Sequence, residues 1–188
     1  MPLFNYFDLF APIYEKFITP PEPDRLVELA DLPVKGTLLD AGGGTGRVSK
    51  VLRDKVSAVV VVDLSSGMLR QVVVMNGLWT VCSKTEALPF SDNFFHRIIL
   101  VDAMHHVHDQ LLTARELWRV LIPGGRIVVE EPDIGTIPVK IVAIMERFAL
   151  MRSKFLSPES IFDLFFYPNA NRSIEKEGST AWVIIQKT

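Results

Sequence analysis

The chain has 188 residues, 48% of them apolar and 22% charged, the make-up of one packed domain able to bury roughly 70% of its unfolded surface. That composition excludes the polar, charge-rich pattern of a disordered chain. A formal net charge of -2, with Lys and Arg interspersed among Asp and Glu, excludes a free-standing nucleic-acid binder, and the single cysteine, Cys82, excludes an internal disulfide and fits a reducing cytoplasm.

The first residues show no basic segment followed by an apolar one, so no secretory signal is expected. They are dense in aromatics instead: Phe4, Tyr6, Phe7, Phe10, Tyr14 and Phe17. The apolar runs Thr37 to Ala41, Ala58 to Asp63, Leu78 to Cys82, Ile98 to Asp102 and Ile127 to Glu130 read as buried strands. Helical stretches alternate with them at Arg47 to Leu52, Ser66 to Met75 and Leu111 to Leu121. Asp109 is the N-cap of the last of these, and Pro123-Gly124-Gly125 its stop. Cys82 reads as a small core residue.

After Pro138 the pattern predicts a long helix from Val139 to Arg152. Its apolar part is too short and too charged, at Glu146 and Arg147, for the ~20 apolar residues of a membrane span. A further helix opens at Ser157-Pro158-Glu159 and carries the aromatics Phe162, Phe165, Phe166 and Tyr167. Arg172 to Lys176, the turn Glu177-Gly178-Ser179 and Ala181 to Lys187 form an antiparallel hairpin. The fold class is therefore α/β: a Rossmann-like, mostly parallel seven-stranded sheet with helices on both faces and a C-terminal hairpin. In such sheets the ligand crevice lies at the carboxyl ends of the strands.

The strongest local signal is Asp40-Ala41-Gly42-Gly43-Gly44-Thr45-Gly46-Arg47, a strand running through glycines into a helix. Glycines let a ligand approach the backbone, and the helix start offers unpaired N–H groups. The spacing is GxGxG. Arg47 occupies the place where a dinucleotide fingerprint has its last glycine, and Asp40 lies two positions ahead of the first one. A carboxylate there suits an ammonium group better than a pyrophosphate, so the ligand end is read as a zwitterionic amino acid. At the end of the second strand, Asp63 can accept both hydroxyls of a ribose.

With these two features in place, the chain resembles the small-molecule (UbiE-like, type 11) subgroup of class I S-adenosylmethionine-dependent methyltransferases, from about Phe7 to Glu131. Asp40 to Gly46 matches that family's first motif and Asp63 its ribose acid, while Leu64 and Met68 would flank the adenine. Glu86 to Phe95 resembles the third-strand loop, Val101 to Val107 the fourth strand end, and Glu116 to Glu131 the RVLxPGG helix with the fifth strand. The resemblance implies S-adenosylmethionine as cofactor, S-adenosylhomocysteine as product, and a cofactor set of Tyr14, Asp40, Ala41, Gly42, Gly43, Gly44, Gly46, Asp63, Leu64, Met68, Thr85, Glu86, Val101 and Asp102.

Residues 1–25 would form a helical lid, 36–135 the cofactor core, 136–170 a helical substrate side and 171–188 the hairpin of a single domain. Two positions depart from the family pattern. Lys84 stands where an Asp usually faces the adenine amino group, and His96 replaces an acid after the phenylalanine of the fourth motif. A lysine cannot accept a hydrogen bond, so weaker cofactor binding is expected, with adenine held near Thr85 and Glu86.

No residue declares itself a general base, which is expected where positioning of a reactive sulfonium supplies much of the rate. His105 and Glu131 are the catalytic candidates, on position alone. Glu130, Glu131 and Asp133 cluster at the fifth strand end, where an acid could accept a proton from an acceptor hydroxyl, bind part of the substrate or only meet solvent. His105, His106, His108 and Asp109 resemble a metal set on paper, but neighbours at a strand end diverge, so turn packing is favoured and no metal is expected. Both aromatic segments are read first as core, with a substrate lid as the second reading. A small, apolar or aromatic acceptor follows from that second reading.

The alternatives are a non-catalytic module that keeps the fold or the cofactor site, and a nicotinamide-dependent oxidoreductase. The latter would need GxGxxG and, in its short-chain group, a Tyr followed four residues later by Lys at the active rim. Neither is present.

Overall fold

The computed structural model describes residues 23–72, 77–148 and 153–188. Helix α1 (Pro23–Leu29) leads to β1 (Thr37–Ala41), α2 (Arg47–Leu52), β2 (Ala58–Asp63), α3 (Ser66–Leu69), β3 (Leu78–Cys82) and β4 (Phe95–Val101). Then come α4 (Gln110–Val120), β5 (Leu121–Pro132), α5 (Ile137–Phe148), α6 (Pro158–Leu164), β6 (Ala170–Glu177) and β7 (Thr180–Lys187). The strands form one seven-stranded sheet in the order β3-β2-β1-β4-β5-β7-β6. Strands β1 to β5 pair in parallel, and β7 is antiparallel to both β5 and β6.

Strand alternation sends every second side chain to the same face. Leu39, Val60, Ile98, Leu100, Ile127, Val129 and Ile185 pack against Ala114 and Leu117 of α4 and Ile161 of α6. Leu38, Val59, Val61, Ile99, Val128 and Ile184 pack against Leu26 and Leu29 of α1 and Val48 and Leu52 of α2. Both faces are thus covered, as continuous apolar strands require. The five parallel strands end along one rim, and the order reverses direction between β1 and β4, which opens a crevice where their loops part.

Several expected boundaries move. The helix read from Ser66 to Met75 is a single turn ending at Leu69, followed by i to i−3 bonds from Gln71 to Met68 and from Val72 to Leu69; residues 73–76 lie outside the described ones. The helix placed from Val139 to Arg152 begins two residues earlier, with Pro138 in its first turn, where a missing N–H costs nothing, and is described as far as Phe148.

Pro123-Gly124-Gly125 does not follow the helix as a loop. Pairing resumes at Leu121 opposite Phe95 and again at Arg126 opposite Arg97, so Ile122 to Gly125 bulge out opposite His96 within β5. Cys82 is exposed, because β3 is the edge of the sheet.

Candidate active site

The glycine loop after β1 is built by its own backbone and two acids. Gly42 and Gly43 both donate to the Val62 carbonyl, at 2.7 and 3.1 Å, so the loop folds over the end of β2. Gly42 has φ of +73°, and a Cβ there would lie 2.7 Å from the Cβ of Ala103, so a side chain is excluded on conformation and on space. Ala103 follows β4, which puts the β4 exit directly against the loop. At Gly44 (φ +55°) a Cβ would meet, among the described residues, only Asp63 Oδ2, at 4.0 Å. Gly44 and Asp63 are in direct contact, the Gly44 N–H donating to Asp63 Oδ2 at 3.0 Å.

Asp40 lies beneath this loop. It is buried, accepts the Ser49 hydroxyl at 2.6 Å, and would contact any Cβ placed on Gly43. Burial pushes its carboxyl up to about 6, with the Ser49 bond and the Arg47 charge opposing the shift. Ala41 is wholly buried at the end of β1. Thr45, absent from the sequence-derived set, is buried, and its hydroxyl has no hydrogen-bond partner among the described residues. Helix α2 then starts at Arg47 with no side chain capping it, which leaves its first amides directed at the loop.

Asp63 ends β2, and its Oδ1 accepts the Ser65 N–H at 2.7 Å. Ser65 caps α3 by accepting from Met68 N. Of the two residues expected around adenine, Leu64 is exposed and Met68 is buried. Thr85 and Glu86 turn toward α4: the Thr85 hydroxyl is 3.0 Å from that of Thr113, and Glu86 Oε1 accepts the His108 and Asp109 N–H groups. Lys84 is exposed. Tyr14, with the rest of the expected lid up to residue 22, lies outside the described residues.

At the exit of β4, Val101 is buried and Asp102 adopts φ of +51°, a conformation few non-glycine residues take and one found at functional sites. Its Oδ2 pairs with Arg47 Nη2 at 2.8 Å, joining the β4 exit to the first residue of α2. Glu130 is pushed up by burial and accepts the Trp182 indole N–H at 2.7 Å. Asp133 accepts from Gly135 N and pairs with Lys176.

The two catalytic candidates meet. Glu131 is buried; its Oε1 accepts the Met104 N–H at 2.7 Å, and its Oε2 lies 2.5 Å from His105 Nδ1. The His105 ring stacks on Phe155 at 4.4 Å and 10° and touches His106 at 4.0 Å. Burial lowers His106 to about 3, so that imidazole is neutral. Among the described residues no group of three or more His, Cys, Asp or Glu could hold a metal ion.

Other expected residues lie elsewhere. Phe165 is in the core, and Tyr167 stacks on Trp118 at 4.4 Å, near Lys187, which donates to the Trp118 and Leu121 carbonyls at the start of β5. This aromatic segment sits at the rim opposite the glycine loop, so the first reading, core packing, fits it and the lid reading does not; Phe155 stacks on His105 instead. His96 is also at that far rim, where its Nδ1 receives the Thr37 N–H at 3.2 Å.

Residues 39–129 match the family model for a methyltransferase domain. A ubiquinone/menaquinone biosynthesis C-methyltransferase (UbiE) from Coxiella burnetii is 32% identical over 126 residues, covering 61% of this chain and 50% of the relative. The domain match and the relatives' names support a class I S-adenosylmethionine-dependent methyltransferase of the type 11 group. The chain spans about half the length of the curated relatives it matches.

Solved structures agree on the fold. One from Haloferax volcanii, in complex with the Trm112 methyltransferase activator, superposes with a TM-score of 0.80 at 15% identity over 98% of this chain and 99% of its own. An S-adenosylmethionine-dependent methyltransferase from Thermotoga maritima gives 0.79 at 20% identity, over 99% and 100%.

Proposed function

We propose that this chain forms a single methyltransferase domain that moves a methyl group from S-adenosylmethionine to a small acceptor at the carboxyl-end rim. The observation that carries this reading is the Gly44–Asp63 juxtaposition. At the rim, backbone that no Cβ covers lies beside a carboxylate suited to a ribose. The unpartnered Thr45 hydroxyl and the uncapped start of α2 add donors that fit the cofactor's carboxylate. When bound, the cofactor supplies an electrophilic sulfonium methyl. The chain's own tasks are to orient the acceptor in line and to exclude water.

The acceptor is proposed to be apolar or aromatic. Support comes from the Phe155–His105 stack at the β4 exit and from relatives whose names place them in quinone biosynthesis. Among the described residues no helix is long and apolar enough to cross a membrane. Calorimetric titration tests the cofactor: S-adenosylmethionine should bind and NAD and NADP should not. Binding of a dinucleotide instead would return the oxidoreductase reading. Binding without transfer to any phenol, quinol or lipid acceptor would favour a module that keeps the site and has lost turnover.

A further inference from the structure

We propose that the groove beside α1, toward the rim opposite the glycine loop, is a second binding site that takes a small molecule bearing a carboxylate or phosphate, with Arg126 as the anchor of its anion. The inference stands apart from the methyl-transfer reading, since none of its residues belongs to the cofactor set.

The first observation is the register. Arg126 stands opposite Gln186 across β5 and β7, and Gln186 opposite Asn171 across β7 and β6; two residues along, Val128, Ile184 and Ser173 form the next row on the same face. Val128 and Ile184 pack with Leu26 and Leu29, so this is the face that carries α1. A groove of about 500 Å³ is lined there by Leu29, Arg126, Gln186, Ile184, Asn171 and Ser173. A volume of that order suits a small molecule.

The second observation is how Arg126 is held. Its Nε donates to Gln186 Oε1 at 2.8 Å and its Nη1 to the Leu29 carbonyl at 3.1 Å, both uncharged acceptors. Gln186 keeps its carbonyl turned to Arg126, because its Nε2 donates to the Gly124 and Gly125 carbonyls. Arg25, Arg47, Arg97 and Arg119 each pair with a carboxylate. Arg126 pairs with none among the described residues, and its Nη2 has no acceptor there. The acids that line the groove are taken, since Glu28 and Glu175 both pair with Arg25. Closing the end of α1 accounts for Nη1 and leaves Nη2 unexplained.

The third observation is charge. Arg97 is the register partner of Arg126 on β4, so two guanidiniums stand on neighbouring strands. Burial holds Arg97 below its ordinary range and the Arg126 charge adds to that, while Asp31 opposes both. Like charges placed side by side in a sheet are unfavourable unless an anion balances them. Asp31 balances Arg97. An oxyanion on Arg126 would balance the other, and the side chains of Asn171 and Ser173, which line the groove without a hydrogen-bond partner among the described residues, offer it further donors.

The test uses the whole chain and two simple anions. In proton–nitrogen correlation spectra at constant ionic strength, inorganic phosphate or citrate should shift the amides of Ser173, Ile184 and Gln186 and the Nε–H of Arg126, saturating at millimolar concentration or below. Arg126→Gln should weaken that binding at least ~10-fold and leave S-adenosylmethionine affinity as in the parent. Asn171→Ala, at an exposed position, should weaken it ~3-fold and keeps the site testable if Arg126→Gln does not fold. No saturable shift from either anion, shifts confined to other residues, or equal affinity in Arg126→Gln, or in Asn171→Ala where the first variant does not fold, would each overturn the proposal. Vesicles containing phosphatidic acid separate a free anion from a lipid headgroup: Arg126-dependent binding to them, with no response to phosphate or citrate, would overturn the small-molecule assignment. Should S-adenosylmethionine fail to bind the parent, the methyl-transfer reading falls and this site stands.

Discussion

Asp63 holds the Gly44 N–H on one carboxylate oxygen at 3.0 Å and the Ser65 N–H on the other at 2.7 Å, so one side chain fastens the glycine loop and the start of α3 to the end of β2. Asp63→Ala should therefore act on two readouts. Losing charge-assisted bonds to two hydroxyls should weaken S-adenosylmethionine binding by ~2 kcal/mol or more, and losing the backbone bonds should lower stability by about 1 kcal/mol or somewhat more. Calorimetry and a melting curve measure the two separately. A folded variant with unchanged affinity would refute the ribose assignment.

Two buried groups impose opposite pH slopes. Asp40 is raised from 3.8 to about 6, so the folded state holds its proton where the unfolded state has released it; its contribution to stability is present below about pH 3.8 and is lost as pH rises to 6. His106 is lowered from 6.5 to about 3, so its stability is present above pH 6.5 and is lost as pH falls toward 3. Between about pH 4 and 6 the two offset each other. Asp40→Asn should expose an acid loss steeper than the parent's, and His106→Gln should leave a protein that gains stability on acidification, each on the order of 3 kcal/mol across the window. Urea midpoints at pH 4, 5, 6 and 7 measure this, and parallel curves for all three proteins would refute both assignments.

The rim was legible in the sequence where a motif specifies backbone. A strand, a glycine cluster and a helix start fix one another, and the GxGxG loop lies where that pattern places it. What stayed hidden depends on contacts across the sheet. Nothing local shows that Glu131 points inward to His105, because the residues are neighbours only through the β4–β5 register. Arg47 reads as a missing glycine, and its pairing with Asp102 appears only when β1 and β4 lie side by side. The edge position of β3, which exposes Cys82, follows from strand order and not from the apolar pattern of Leu78 to Cys82. A lone SerPro cap located α6, but not the end of the sheet that its aromatics would reach.

Lys84 tests the departure from the family pattern. Its backbone carbonyl accepts from Ala87 N while its side chain is exposed on the loop after β3, so a change of side chain leaves the loop's own bonds in place. Lys84→Asp should supply the acceptor that adenine's amino group lacks and tighten S-adenosylmethionine binding by about 1 kcal/mol. Weaker binding in a folded Lys84→Asp protein would show that adenine does not face this position.

Gly36 lies at the far rim, where a Cβ would come within 2.3 Å of His96 Cγ, and His96 Nδ1 also receives the Thr37 N–H that opens β1. Gly36→Ala should displace the imidazole and destabilise the fold by roughly 1–3 kcal/mol through overpacking. The glycine loop is at the opposite end of β1, so cofactor affinity should not change. A melting temperature equal to the parent's would show that the His96 ring moves aside freely.

Gly44 separates fold from function most directly. Its amide is tied to Asp63, its φ is +55°, and a Cβ would project beside the carboxylate, whose oxygen is 4.0 Å away. If the cofactor lies against the Gly44 backbone, the branched side chain of Gly44→Val occupies ligand volume, and binding should be lost. The left-handed backbone adds a cost of roughly 1–2 kcal/mol for any side chain, independent of the ligand. Gly44→Ala is therefore the needed control: it carries most of that strain with a much smaller projection. The expected pattern is a modest, similar drop in melting temperature for both variants, with affinity reduced in Gly44→Ala and abolished in Gly44→Val. The sheet should remain intact in each, since the loop sits at the rim and adds little to the core. Unchanged S-adenosylmethionine affinity in a folded Gly44→Val protein would make Gly44 an ordinary turn residue and remove the observation on which the methyl-transfer reading rests.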